Sequence, residues 1–164
     1  MDQLLQVPLS LCTSKAALAA GTTTTFSTTG ATLYSIKGKA YSTAAGTNAA
    51  TPTTDLNTGA AFVGVPANYG SVFVFCYDGQ STAANAIKVV QGSIEALDVS
   101  GAFKKAPIFP AIPDSVCPFA YLVVKVGSTG STWTFGSSNL AGPPTGVTLA
   151  FQDVMTLPAR PQVS

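Results

Sequence analysis

The stretch "SVFVFCYDG", residues 71–79, is apolar at six consecutive positions, Val72 to Tyr77. A strand with one wet face alternates apolar and polar residues; an unbroken run of β-branched and aromatic side chains predicts a strand covered on both faces. The Asp78-Gly79 pair closes the run with a turn signal.

Working outward, other segments carry the same kind of signal. "TLYSIKGKAYS" (32–42) alternates, with Tyr34, Ile36, Gly38 and Ala40 on one side and Lys37 and Lys39 on the other, and reads as a strand. "AAFVGVP" (60–66) reads as a short strand ended by proline. "NAIKVVQGSIEALD" (85–98) changes its apolar phase between Val89 and Val90, which predicts a bulge near Val89–Gly92. "PFAYLVVKVG" (118–127), "STWTFG" (131–136) and "GVTLAFQDVM" (146–155) complete a set of seven predicted strands. "SKAALAA" (14–20) is the one helix candidate. Strands separated by turns, with almost no helical periodicity, predict an all-β antiparallel β-sandwich, jelly-roll-like in type. The expected organisation is an extended N-terminal arm (1–20) followed by a single sandwich domain (21–164) that ends in a proline-rich C-terminal tail. "APIFPAIPDSVCP" (106–118) has four prolines and predicts a rigid, extended crossover between sheets.

The 164 residues are enough for one domain with a substantial core. Charged residues make up only 9% of the chain, against about 25% in ordinary soluble domains. A net charge of +1, with no cationic cluster larger than Lys104-Lys105, argues against a nucleic-acid partner. No window approaches the ~18 apolar residues of a membrane span, and the N-terminus lacks a basic signal-peptide region. A surface so poor in charge is adhesive in free solution, and burial in a large assembly relieves that.

Catalytic means are scarce. The chain has no histidine, which removes the commonest general base and metal ligand. There is no G-x-S-x-G elbow and no phosphate-binding lysine after "GSTGSTWTFG". Seven acids could in principle supply a carboxylate pair for glycoside hydrolysis. Asp78, Glu95, Asp98, Asp114 and Asp153 instead sit at turn-like or strand-end positions. No enzyme activity, metal or cofactor is expected. The three cysteines, Cys12, Cys76 and Cys117, do not have zinc-site spacing. Cys76 reads as a buried thiol, and a single disulfide between any two of the three stays open.

Five segments, "GTTTTFSTTGATLYSIKGKAYS", "ATPTTDLNTGAAFVGVPANYGSVFVFCYDGQ", "VVQGSIEALD", "FPAIPDSVCPFAYLVVKVGSTGSTWTFGSSNL" and "GVTLAFQDVMTLPARP", cover most of residues 21–161. In this order they resemble the small β-sandwich decoration or cement proteins of tailed-bacteriophage capsids. The resemblance implies a virion structural protein on the outer surface of the head, without catalysis, bound to the major capsid protein and forming a homotrimer. Contacts with several subunits at once would make its attachment multivalent and stabilise the lattice by mass action. The expected interface residues are Leu4, Leu5 and Val7 in the arm, Lys37 and Lys39, and Arg160 in the tail. The small-residue run 19–55 would lie as an arm and edge strand against a neighbour, or alternatively form a plain surface loop. The alternative function is a receptor- or glycan-binding module of a tail or fibre, with Trp133 and Tyr121 as a sugar-stacking platform; core packing is the competing role for those rings.

Overall fold

The computed structural model describes residues 10–79 and 87–163. Ten strands form three antiparallel sheets, and there is no helix among the described residues. The strands are β1 (Leu11–Cys12), β2 (Leu18–Ala20), β3 (Thr25–Thr28), β4 (Thr32–Ile36), β5 (Lys39–Thr43), β6 (Gly46–Ala50), β7 (Tyr69–Asp78), β8 (Ile87–Ala96), β9 (Val116–Val126) and β10 (Val147–Asp153). A four-stranded sheet, β10-β9-β7-β8, is the centre; β1-β4-β5 and β2-β3-β6 are the other two sheets.

The double burial expected of "SVFVFCYDG" is present. Phe73, Phe75 and Tyr77 of β7 point to an inner face, where they meet Cys12, Leu18, Phe26, Tyr34 and Ile36 of the two small sheets. Val72, Val74 and Cys76 point to the outer face. No sheet covers that side. The β8–β9 connector supplies Phe103, Phe109 and Ile112, and the segment after β10 supplies Val154, Leu157 and Val163. The proline-rich connector is therefore a strap across a sheet face. Its backbone reaches β8 at Gly92, where a Cβ would lie 2.5 Å from the Ile108 carbonyl oxygen. Only glycine allows that approach, and the neighbouring Ser93 N–H donates to Ile108 O at 3.2 Å.

The bulge in β8 occurs close to its expected place. Ser71 pairs with Ile94 but Phe73 pairs with Gln91, so β8 carries the extra residue between Gln91 and Ile94. A second bulge was not expected. Phe75 pairs with Ala120 and Cys76 with Pro118, which leaves Phe119 as the extra residue of β9. It absorbs a proline in an inner strand and switches the inward phase from Cys117 and Phe119 to Leu122 and Val124.

Several sequence expectations need correction. Residues 32–42 are a hairpin rather than one strand, because Lys37 and Gly38 have φ of 51° and 76°. Positive φ at both loop positions is what a two-residue type I′ connection requires. Gly38 and Ala40 are consequently exposed, while Tyr34 and Ile36 are buried. Residues 14–20 are not helical; Ala17 has φ 50° and Leu18 opens β2. A seven-residue helix is marginal by itself, whereas the strand buries Leu18 and lets its N–H donate to Asp153 Oδ1 at 3.0 Å. Residues 60–66 and 131–136 are not strands but touch at one bridge, Val65 with Trp133.

The small-residue run pairs within its own chain: most of β2 and all of β3, β4, β5 and β6 come from residues 19–55. Residues 10–20 likewise belong to the sheets, since β1 pairs with β4 and β2 with β3. Leu4, Leu5 and Val7 lie outside the described residues.

Candidate functional site

Lys37 and Lys39 occupy the exposed tip of the β4–β5 hairpin. Lys39 Nζ stands 5.2 Å from the centre of the Tyr41 ring, a cation–π distance. Below it the rings continue as a column. Tyr41 stacks on Tyr34 (5.4 Å), Tyr34 on Tyr77 (4.7 Å) and Tyr77 on Phe119 (4.0 Å). Tyr77 Oη donates to Thr32 Oγ1 at 3.0 Å inside the core. Burial, the largest influence, pushes the Tyr34 and Tyr77 phenols above their ordinary value; for Tyr77 the Thr32 hydrogen bond works the other way. The two lysines thus crown a rigid aromatic column.

Arg160 is exposed and lines a depression with Lys105, Pro107 and Ile108. Lys105 Nζ is 3.7 Å from Glu95 Oε1, a long contact from an exposed lysine to a half-buried carboxylate and of little energetic weight. The tail around Arg160 is held by particular contacts. Pro161 is buried, Gln162 N–H donates to Tyr121 Oη at 2.9 Å, and Lys125 Nζ donates to Val163 O at 2.7 Å. The structure places Arg160 beside the outer-face cover and does not bring it together with Lys37 and Lys39, which line a different depression.

Neither ring proposed for sugar stacking offers a face to solvent. Trp133 is 0% exposed and Tyr121 1%. Trp133 packs edge-on against Phe73 (5.8 Å) and Phe135 (6.1 Å), with its Nε1–H directed at Asn139 O at 3.5 Å. Tyr121 faces the strap, where Phe109 meets it edge-on at 5.1 Å. Both rings are core, one on each side of the central sheet.

Three of the acids, Asp55, Asp98 and Asp153, accept from backbone N–H groups. Buried Asp55 accepts from Asn57 N–H (2.9 Å) and Thr58 N–H (3.0 Å) through Oδ1, and from Gln91 N–H (2.7 Å) through Oδ2. It pins the 51–66 loop to β8, aided by Gln91, whose amide both donates to Val63 O and accepts from Val63 N–H at 2.9 Å. Asp98 Oδ1 accepts from the Ser100 hydroxyl, Ser100 N–H and Ala102 N–H, and the first of these chiefly holds its carboxyl below the usual range. Among the described residues no group of three or more His, Cys, Asp or Glu side chains could hold a metal ion. No described helix is long and apolar enough to cross a membrane.

Two features escaped the sequence reading. The first is the pairing of Cys12 with Cys117, whose sulfurs are 3.5 Å apart although the residues are 105 positions apart in the chain. The second is β10. It ends the four-stranded sheet as an edge strand and carries no charge from Val147 to Gln152. Comparison with family models, with curated proteins and with solved structures returned no match.

Proposed function

We propose that this chain is a virion structural protein: a β-sandwich, jelly-roll-like decoration or cement protein that binds the major capsid protein lattice of a tailed-phage head and reinforces it. The observation that carries this reading is a surface poor in charge yet marked by large exposed apolar side chains. Leu33 is 56% exposed, Val63 62% and Ile108 58%. Scattered exposed aliphatics are ordinary on a well-charged protein. On a chain with 9% charged residues they favour a life inside an assembly, where that surface is covered. The edge of β10 from Val147 to Gln152, which carries no charge ahead of Asp153, supports the same reading, since exposed edges are ordinarily guarded by charge or proline.

In this proposal the protein forms a homotrimer on the outer surface of the head. Lys37 and Lys39, at the hairpin tip above the aromatic column, and Arg160, on the clamped tail, offer cations to acidic groups of neighbouring capsid subunits. The glycan-binding alternative has no exposed Trp133 or Tyr121 ring in its favour. Immunogold labelling of intact particles from a phage that encodes this chain tests the proposal. Gold over the head, with lower heat resistance of filled heads lacking the protein, is expected. Gold confined to tails or fibres overturns it.

A further inference from the structure

The three cysteines divide between the two faces of the central sheet. Cys76 lies among Val72, Val74, Val116 and Val123 on the outer face. Cys12 and Cys117 lie together on the inner face, both fully buried. Cys76 is therefore separated from Cys117 by the sheet itself, although the two strands that bear them are adjacent.

The inner pair has few other polar contacts. Each sulfur's second partner is the same acceptor, the Pro118 carbonyl, at 3.7 Å from Cys12 Sγ and 3.8 Å from Cys117 Sγ. The sulfur–sulfur separation of 3.5 Å exceeds a disulfide bond of about 2.05 Å by a shift small enough for side-chain rotation and a slight backbone adjustment. The element that can supply the adjustment is β1. It is two residues long, pairs with β4 through Leu11–Ser35 and Cys12–Tyr34, and gains a bond from Cys12 N–H to Met155 O at 3.0 Å; just after it, Thr13 N–H donates to Leu33 O at 2.8 Å and Leu33 N–H to Ser14 Oγ at 2.9 Å. Short strands with few rungs open locally at low cost, so β1 is also the route by which a reagent reaches these buried thiols.

We propose that Cys12 and Cys117 are a disulfide-forming pair, an oxidisable dithiol that closes into a covalent staple between β1 and β9. The oxidant is a low-molecular-weight disulfide such as oxidised glutathione. With β1 open, one cysteine thiolate attacks a sulfur of the oxidant; a mixed disulfide forms and the first small thiol leaves. The second cysteine, deprotonated in turn, attacks the protein-side sulfur of that mixed disulfide, and the second small thiol leaves. One protein S–S bond forms, one oxidant S–S bond breaks, and the two protons lost by the cysteines are taken up by the two departing thiolates. The two sulfurs already share a hydrogen bond in which either thiol can donate, and that bond holds the Cys117 thiol below its ordinary value while raising that of Cys12.

The staple would close a loop through β2 to β8 and join three parts of the fold at one point: the first described strand, the central sheet and, through Met155, the start of the tail. A cross-link over about a hundred residues constrains the unfolded chain strongly, so oxidation is expected to raise the melting temperature by on the order of 10 °C. In a reducing compartment the same protein stays unlocked.

The test uses the full chain, fully reduced, then exposed to oxidised glutathione, acid-quenched, alkylated under denaturing conditions and mapped by peptide mass spectrometry. The expected result is alkylation of Cys76 alone and a linked peptide pair containing Cys12 and Cys117, with the rise in melting temperature reversed by dithiothreitol. The Cys76→Ser variant should give the same link, and Cys12→Ser should give none. The wild-type map decides the matter even if Cys12→Ser folds poorly. Three alkylated cysteines after oxidation overturn the proposal, as does a link that includes Cys76 or a Cys12–Cys117 link that leaves the melting temperature unchanged or lower.

Discussion

The inner and outer faces of the β7–β9 pair are built by the same two strands and covered in opposite ways. The inner face is aromatic and sealed by the two small sheets together with the non-strand segments that carry Phe62, Trp133 and Phe135. Phe73 touches the rings of Phe62, Trp133 and Phe135, and Phe75 those of Phe26, Phe119 and Phe135. The outer face is mainly aliphatic and closed by chain without regular structure. That cover is held by discrete bonds: Tyr121 to the tail at Gln162, Lys125 to Val163 and Ser93 to Ile108. Burial of apolar area drives both faces. The inner face spreads its stability over many ring contacts, whereas the outer face concentrates its order in a few removable links. Local opening is accordingly expected at the strap and tail before the sheets.

Substitutions can break or sharpen this contrast. The largest effect is expected on the inner face: Phe73→Ala should destabilise the fold by about 3–5 kcal/mol, read from urea unfolding followed by Trp133 fluorescence. A loss below about 1 kcal/mol would mean that the ring cluster does not govern global stability. Asp55→Ala leaves three backbone N–H donors without their carboxylate and should cost about 3 kcal/mol. Asp55→Asn, which keeps two acceptor lone pairs on one oxygen, should recover part of that loss in the same unfolding experiment.

Tyr77→Phe removes the hydrogen bond to Thr32 and should cost about 1 kcal/mol at neutral pH. Its alkaline behaviour should run the other way. The folded-state values of Tyr77 and Tyr34 are raised above the unfolded value of about 10, so the contribution of their neutral phenols is complete below about pH 10. That contribution is lost as the pH climbs through the folded-state values. Unfolding in alkali, followed by circular dichroism, should therefore begin at higher pH for Tyr77→Phe than for the wild type. An unchanged or earlier onset would show that this phenol is not what limits alkaline stability.

On the outer face, Tyr121→Phe deletes the acceptor of Gln162 N–H and should lower global stability by about 1 kcal/mol or less. Limited proteolysis should nonetheless cut the tail near Arg160 several-fold faster. Equal cleavage rates would mean that packing of Leu157, Pro161 and Val163 alone seats the tail. The smallest change is expected at the hairpin tip, where Lys39→Ala removes one exposed cation–π contact worth about 0.5 kcal/mol.

The central sheet was legible because its strands announce themselves locally. "SVFVFCYDG" and "PFAYLVVKVG" are apolar at nearly every position, and no half-exposed strand or amphipathic helix needs that composition. The short strands β1, β2, β3 and β6 were not legible: β1 is two residues, too short to show a period, and the small polar and Ala residues that dominate the other three say little about direction or partner. Their pairing is decided by what they cover, such as Phe26 over Phe75. The hairpin turn at Lys37-Gly38 was hidden because lysine is an uncommon residue at positive φ, and the closing of the rungs on either side carries that cost.

By itself, then, the sequence determined that the chain is all-β, that its central strands are buried on both faces, that β8 carries a bulge and that the surface is nearly uncharged. These are properties of composition and of a two-residue period. Only the tertiary structure decided which elements cover each face, that the proline-rich connector and the tail serve as the outer layer, that Trp133 and Tyr121 are core rather than surface, and that Cys12 meets Cys117. Each of these depends on contacts between residues tens to more than a hundred positions apart, and local pattern holds no information about which distant segment will fill a given face.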